Sequence, residues 1–294
     1  MDEATDWLLR RRRATGRKPA AVLLNELRPG QGDHVAERLG MRHFPAPIDL
    51  SLDEKDSRRQ HLNAIFIDPD GPLVPDPNWE ANWLGPWLPP ATVQVWIRNP
   101  DGSMSRRQIF LGCEHACYWH PGHRETTARF FTVPGKDLRL GHVEGDFNGW
   151  TEDRAPLTLD NVPDRAFAQN RSVLVDGVMV PDTQADTLMT GGGFVYVHGY
   201  AADTLGIEAA DAPTIVGGPD KERQRIPVAD QPPAGLSAID RTYATKELIP
   251  AVVDANVIKL PDLADISDHW PRYTHYGYQK LVEITNRPVT VVRH

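Results

Sequence analysis

The sequence has few cysteines, no long apolar run and no excess of positive charge. Cys113 and Cys117 are the only two cysteines among 294 residues, too few for the disulfide framework of a small secreted protein. No apolar segment approaches the length that crosses a bilayer, and the start Met-Asp-Glu-Ala-Thr-Asp is neither basic nor followed by an apolar leader. These absences favour a cytoplasmic protein.

Several other classes are excluded in the same way. The formal net charge of −8 argues against a general nucleic-acid coat protein, although a local basic groove on an acidic protein is still compatible with it. The three glycines at 191–193 are not followed by Lys-Ser or Lys-Thr, so this is no phosphate loop of the Walker type. No segment repeats at a fixed period, which excludes solenoids and propellers.

The length and the patterning predict one large α/β domain. A chain of 294 residues buries a substantial core either as one such domain or as two small ones. We predict a single domain over residues 1–294. Insertion-like loops are expected at 72–90 and at 151–190, where the sequence shows little periodicity.

Short apolar or alternating runs bounded by turn residues predict the strands, and helical spacing predicts the helices. The predicted strands are Pro19–Glu26, Leu62–Ile67, Thr92–Ile97, Gln108–Cys113, Gly141–Asp146, Phe194–Val197, Ser237–Ala244 and Val252–Leu260. Helices are predicted at Asp2–Gly16, Gly32–Leu39 and His123–Phe131. The apolar runs within Leu281–Val292 predict a terminal hairpin.

The segment Gly145-Asp146-Phe147-Asn148 closes one of these strands with a carboxylate and an amide. Because side chains alternate along a strand, Asp146 and Asn148 are expected on one side and Phe147, buried, on the other. Alone the signal is weak, since a strand that ends in an Asx turn produces the same letters for structural reasons.

Further polar residues lie at predicted strand ends and make a chemically coherent set. The full set is Glu26, His115, Asp146, Asn148, Asp240, Asp268 and His269. Carboxylates with an amide suit a hard cation such as Mg²⁺, which keeps water and takes phosphate oxygens as further ligands. Two histidines can stabilise charge on a phosphoryl oxygen and orient or deprotonate water. The combination fits phosphoester hydrolysis better than acyl transfer.

With these motifs in this order, the chain resembles the endonuclease/exonuclease/phosphatase superfamily, to which deoxyribonuclease I belongs. The matching pieces are Leu24-Asn25-Glu26, Asn63-Ala64-Ile65, Cys113-Glu114-His115, Gly145-Asp146-Phe147-Asn148, Ile239-Asp240-Arg241 and Ser267-Asp268-His269. The resemblance spans roughly Pro19 to Trp270. It implies a four-layer α/β/β/α sandwich in which two mixed sheets pack together.

The resemblance also implies how a metal and water would be held. Glu26 and Asp268 would bind Mg²⁺, with Mn²⁺ as a substitute. Asp146 and Asn148 would position the attacking water and the phosphate. Water would then attack phosphorus in line.

Two histidines receive roles by the same resemblance. His269, oriented by Asp240, would act as the base or stabilise the phosphate, and His115 would act as acid or hydrogen-bond donor on the opposite side. The implied activity is that of a metal-dependent phosphodiesterase, and a nuclease acting on nucleic acid is favoured over a lipid or small-molecule phosphoesterase. No obligate protein partner is indicated.

The sequence departs from the family at its front. The family begins with a core strand that carries an Asn, and no Asn precedes Asn25 here. Either the recorded sequence starts late, or the strand is absent and the site is weakened. In the second case we expect the helix Asp2–Arg13 or the segment Pro288–Val292 to cover the exposed sheet edge.

Three other interpretations stay open. Cys113, Cys117, His120 and His123 are residues of the types that bind zinc, although their spacings are not those of common structural zinc fingers. A binding module on the same scaffold, without catalysis, is the second. The third is a lipid phosphoesterase, which is expected to carry apolar membrane-docking loops; only the segment Trp79–Trp87 hints at one.

Overall fold

The computed structural model describes residues 2–28, 30–46, 62–78, 90–115, 123–132, 140–147, 149–150, 172–207, 210, 240–258 and 271–288. Within these ranges no helix combines the length and the apolar character that crossing a membrane requires.

Six helices and thirteen strands are placed in the described ranges. The helices are α1 (Asp2–Thr15), α2 (Gln31–Leu39), α3 (His123–Thr132), α4 (Gln184–Gly191), α5 (Val197–Leu205) and α6 (Tyr278–Asn286). The strands are β1 (Ala21–Leu27), β2 (Arg42–Pro45), β3 (Leu62–Ile67), β4 (Leu73–Pro75), β5 (Ala91–Ile97), β6 (Ile109–His115), β7 (Leu140–Asp146), β8 (Ser172–Val175), β9 (Val178–Pro181), β10 (Phe194–Tyr196), β11 (Asp240–Thr245), β12 (Val252–Val257) and β13 (Arg272–Tyr276). A 3₁₀ turn, Ile249–Ala251, precedes β12.

The largest sheet has six strands in the order β10-β11-β7-β6-β5-β4. β6 and β7 are parallel, while the other neighbours in this sheet are antiparallel. The sheet is therefore mixed, and its single parallel pair lies at its centre.

A second sheet has three strands in the order β1-β3-β2, all antiparallel. Leu24 pairs with Ala64 and Leu27 with Leu62, so β1 contains a bulge that places Asn25 and Glu26 opposite the single residue Asn63. Bulges redirect side chains, and this one lies at the motif predicted to hold a metal.

The two sheets pack face to face over the main core. Ile65 and Ile67 of β3 meet Val93, Val95 and Leu111 of the large sheet, and all five are buried. Period-two alternation explains the set, because every second residue of each strand points to the partner sheet.

Helices cover the outer face of each sheet. Beside the large sheet, α3 and α4 contribute Phe131 and Met189 to a cluster with Phe110 and Phe147. Beside the small sheet, Leu39 of α2 joins Leu27 and Phe66 in another cluster, against which α1 packs Leu8 and Leu9. The molecule is thus a four-layer α/β/β/α sandwich, which confirms the predicted fold class.

Most predicted elements are confirmed, and three predictions are wrong. The end of the chain over 278–286 is helix α6 and not the first arm of a hairpin. The loop region 72–90 contains strand β4, which pairs with β5. The loop region 151–190 contains the hairpin of β8 and β9 besides the expected short helix α4.

The proposed cover for the sheet edge stays a prediction. Residues 289–294 lie outside the described part of the chain. α1 contacts α2 and packs on the apolar cluster beneath it. In the described residues β1 pairs with β3 alone.

Candidate active site

Three of the predicted site residues lie side by side across the centre of the large sheet. The parallel pairing of β6 and β7 places His115 beside Asp146. The antiparallel pairing of β11 and β7 places Asp240 on the other side of Asp146. Residues separated by more than a hundred positions in sequence therefore form one row, because the strand register aligns them.

Two of the three residues in this row are buried, and Asp240 is half-buried. His115 and Asp146 are each 5% exposed, and His115 Nε2 lies 3.7 Å from Asp146 Oδ2. Residues directly opposite on antiparallel strands have Cβ atoms roughly 5 Å apart, so the carboxylates of Asp146 and Asp240 repel each other unless positive charge lies between them. A cation bound at this edge would supply that charge.

The chain folds this way locally because Gly145 permits a close approach of two strands. A Cβ atom at Gly145 would lie 1.8 Å from the carbonyl oxygen of Glu114 on β6. Only glycine fits there, and this contact brings the ends of β6 and β7 together. Beyond the strand, the Phe147 ring is fully buried on the helix-covered face, as predicted.

Strand β1 approaches the same end of the large sheet. It packs against β6 and β7, and the side-chain oxygen of Asn25 accepts a hydrogen bond from the Cys113 thiol at 2.8 Å. The backbone of Glu26 follows immediately within β1, whereas its side chain lies outside the described part of the structure. The bulge at 25–26 thus belongs to the neighbourhood of His115 and Asp146.

A second polar row lies beneath the first. The strand register places Glu144 between Cys113 and Thr242 on the face that bears Asp146. Burial raises the pKa of the Cys113 thiol well above its usual value, and Glu144 and then Glu114 raise it further. The thiol is therefore protonated at neutral pH, and it donates its hydrogen to Asn25.

His142 extends this polar strip one step deeper. Its Nε2 lies 3.6 Å from Glu144 Oε2, and its Nδ1 lies 2.8 Å from the Tyr276 hydroxyl on β13. Burial, followed by the nearby Glu144, raises the pKa of Tyr276. This strip was not predicted from the sequence, although the alternation His142, Glu144, Asp146 on one strand was the signal that could have revealed it.

The remaining predicted residues cannot be placed. Asn148, Asp268, His269, Cys117 and His120 lie outside the described residues, as does the side chain of His123, which begins α3. The segment Trp79–Trp87 falls outside them as well. Across the described ranges, no group of three or more His, Cys, Asp or Glu side chains is arranged to hold a metal ion.

The donor chemistry of the row nevertheless fits a hard cation. Asp146 and Asp240 offer carboxylate oxygens at one edge, and Mg²⁺ is typically held by one or two carboxylates together with water and phosphate oxygens. Neither residue is a soft ligand that would select copper or an iron–sulfur cluster.

Comparison with protein-family models finds no match for this chain. Comparison with curated proteins likewise finds none.

Solved structures do match. An AP endonuclease from Archaeoglobus fulgidus is 14% identical with a TM-score of 0.57, and the match covers 92% of each chain. The 3'-5' exonuclease NExo from Neisseria meningitidis is 13% identical with a TM-score of 0.53, covering 93% of this chain and 95% of the other. The mannosyl-6-phosphatase Bt3783 from Bacteroides thetaiotaomicron is 14% identical with a TM-score of 0.52, covering 93% and 90%.

These matches confirm the fold that the motif order predicts. The chain has the deoxyribonuclease I-like fold of the endonuclease/exonuclease/phosphatase superfamily, over nearly its full length. Identities this low show the fold alone, and the similar structures carry names of both nucleases and a sugar phosphatase. The fold therefore does not determine the substrate, which depends on the chemistry of the site.

Proposed function

We propose that this protein is a metal-dependent phosphodiesterase, and that it hydrolyses nucleic-acid phosphodiester bonds. The observation that carries the proposal is the row of His115, Asp146 and Asp240 on three adjacent strands. A buried carboxylate flanked by an imidazole and a second carboxylate is suited to orient water and to move a proton.

Each residue of the row has a distinct role in this proposal. Asp146, together with Asn148, orients the water that attacks phosphorus in line. His115 donates a hydrogen bond or a proton to a phosphoryl oxygen or the leaving group. Asp240 orients His269, which takes the proton from water. All these roles come from the family resemblance and the residue chemistry.

Glu26 and Asp268 are the residues proposed to hold Mg²⁺ beside this row. When bound, the ion would neutralise the negative charge that develops on the phosphate oxygens. Its presence would also relieve the repulsion between Asp146 and Asp240.

A lipid phosphodiester is the second candidate substrate, and one observation favours it. The hairpin of β8 and β9 exposes Leu174 by 67% and Val178 by 62%, and its only charged residue is Asp176 at the turn. The end of this hairpin leads to Asp182, whose carbonyl accepts a hydrogen bond from the Trp150 amide at 2.8 Å. An apolar projection thus adjoins the segment that follows Asp146.

The test is a substrate panel assayed with Mg²⁺ and with EDTA. The panel holds plasmid DNA, single-stranded RNA, bis-p-nitrophenyl phosphate and sphingomyelin-containing vesicles. We expect EDTA-sensitive cleavage of a nucleic acid, and a loss on the order of a hundredfold or more in Asp146→Asn, because the oriented carboxylate is removed. Preferential hydrolysis of the vesicle lipid would instead select the second candidate.

Asp101→Asn is the matched control, because it makes the same chemical change at an exposed turn before β6, at the opposite end of the strand from His115. It should retain the parent rate. Equal rates in the parent and in Asp146→Asn, or no EDTA-sensitive hydrolysis of any substrate by the parent, would contradict the proposal.

A further inference from the structure

Hydrogen bonds on the helix-covered face of the large sheet hold the turn that follows Asp146. The guanidinium of Arg241 donates a hydrogen bond to the Gly149 carbonyl through Nη2. The Trp150 amide donates to the Asp182 carbonyl at 2.8 Å, and Trp150 is fully buried. The peptide group between Gly149 and Trp150 is thus held at both its carbonyl and its amide, shortly after the strand ends.

Arg241 is placed to do this by the register of β11. Its backbone pairs with Gly145, directly before Asp146, and it follows Asp240 in sequence. Its side chain points away from the row of acids, into the face where Phe147 packs edge-on to Tyr243 with ring centroids 5.1 Å apart. One residue therefore contacts the chain on both sides of Asp146.

A buried chain of polar groups holds the guanidinium itself. Arg241 Nη1 donates to the Tyr243 hydroxyl at 3.2 Å, and that hydroxyl donates to the Asp186 carboxylate on α4. Arg241 and Tyr243 are fully buried and Asp186 is 5% exposed. Burial acts to lower the pKa of Arg241, but Tyr243 and Asp186 outweigh it, so the pKa is raised and the side chain stays charged.

Filling a core with a network of buried polar and charged groups has a high cost in free energy. A buried cation and carboxylate must overcome a large desolvation cost, and apolar side chains of similar volume are often as stable or more so. The network fixes the position of a backbone carbonyl group, because a planar guanidinium with fixed donors determines where that group lies.

We propose that Arg241, held by Tyr243 and Asp186, is a positioning residue that fixes the turn after Asp146 and so the orientation of the Asp146 carboxylate. The part of this inference that concerns catalysis rests on the proposed function. The part that concerns the turn does not, because it concerns only how the backbone at Gly149 and Trp150 is held.

The experiment combines kinetics with hydrogen exchange on the intact chain. Tyr243→Phe removes the hydroxyl between Arg241 and Asp186 while keeping the ring against Phe147. Arg241→Lys keeps the charge, and Arg241→Met removes it. The matched control is Asp254→Asn, since Asp254 Oδ2 likewise accepts a hydrogen bond from a tyrosine, Tyr273, at 2.8 Å.

Two readouts are expected to move together. Amide exchange in the peptide covering 145–150 should accelerate in Tyr243→Phe and more in Arg241→Met, with partial rescue in Arg241→Lys. In the same order kcat should fall, by on the order of tenfold to a hundredfold at the extreme, while KM changes by less than about threefold, because misplacement affects the reaction more than substrate docking. The control should change neither quantity.

The outcomes separate this inference from the proposed function. Unchanged exchange at 145–150 in folded Tyr243→Phe and Arg241→Lys overturns it, whether or not the parent is active. Faster exchange with kcat unchanged in an active enzyme overturns the positioning role. An inactive parent contradicts the proposed function, and exchange then decides alone whether Arg241 holds the turn.

Discussion

Single residues control how closely the two central strands of the site approach each other. Asp146 lies between His115 and Asp240 because β6, β7 and β11 are in one register. That register depends on Gly145, whose missing side chain leaves room for the backbone of Glu114. The site is therefore sensitive to volume at a residue that has no chemistry of its own.

Replacing Gly145 with alanine tests this dependence. The added Cβ would meet the Glu114 carbonyl oxygen at 1.8 Å, so the strands must separate or the protein must unfold. We expect a loss of about 3 kcal/mol in the free energy of unfolding, the upper part of the usual range for overpacking. Chemical denaturation measures it.

Gly191→Ala is the control for the alanine substitution, because no atom lies within 4 Å of the new Cβ at that helix end. Its stability should stay within about 0.5 kcal/mol of the parent, the usual range for surface substitutions. Comparable losses in both variants would show that the close approach at Gly145 does not determine stability.

Helix α5 was not predicted from the sequence, and it packs against the core between the two sheets. Helix α5 follows β10 directly and packs on β11 and β12. Its second residue, His198, is fully buried. Burial lowers the pKa of His198 well below its usual value, and the charge of Arg272 lowers it further.

This lowered pKa predicts acid sensitivity with a definite sign. The unfolded chain binds a proton at His198 near the ordinary histidine pKa of about 6.5, whereas the folded protein does not, so stability is complete above that pH and falls as the pH drops below it. His198→Gln should therefore lose less stability than the parent between pH 7 and pH 5.

Thermal melts of both proteins over this pH range measure the difference. At pH 8 the imidazole is neutral in both states, so the gap between parent and variant there reports packing alone. If the gap between them does not change from pH 8 to pH 5, the buried imidazole is not responsible for the acid sensitivity.

At the scale of the whole molecule, stability depends on the contact between the two sheets. Ile65 is fully buried at the centre of that contact. Ile65→Ala should lower the free energy of unfolding by about 3 kcal/mol through lost burial and a residual cavity. Val253→Ala on β12, where the side chain is 52% exposed, should cost much less in the same denaturation experiment.

The sequence predicted much of this architecture and part of the site. Short apolar or alternating runs located β3, β5, β6, β7 and β11, because each strand has at least one face in a core. The segment of α6 from Leu281 onward was predicted as the first arm of a hairpin, since β-branched residues such as Val282 and Ile284 favour strands. The hairpin of β8 and β9 was missed because its apolar side chains are exposed and produce no clear alternation.

The positions of the acids and imidazoles along the chain, and their order, are properties of the sequence alone, and they were sufficient to predict the fold. The sequence alone does not determine which of these groups come into contact. Strand register is set by packing between segments distant in sequence, so only the tertiary structure could place His115 and Asp240 on either side of Asp146. The same packing brings Arg241 to the turn after Asp146, because it determines which carbonyl group the buried guanidinium meets.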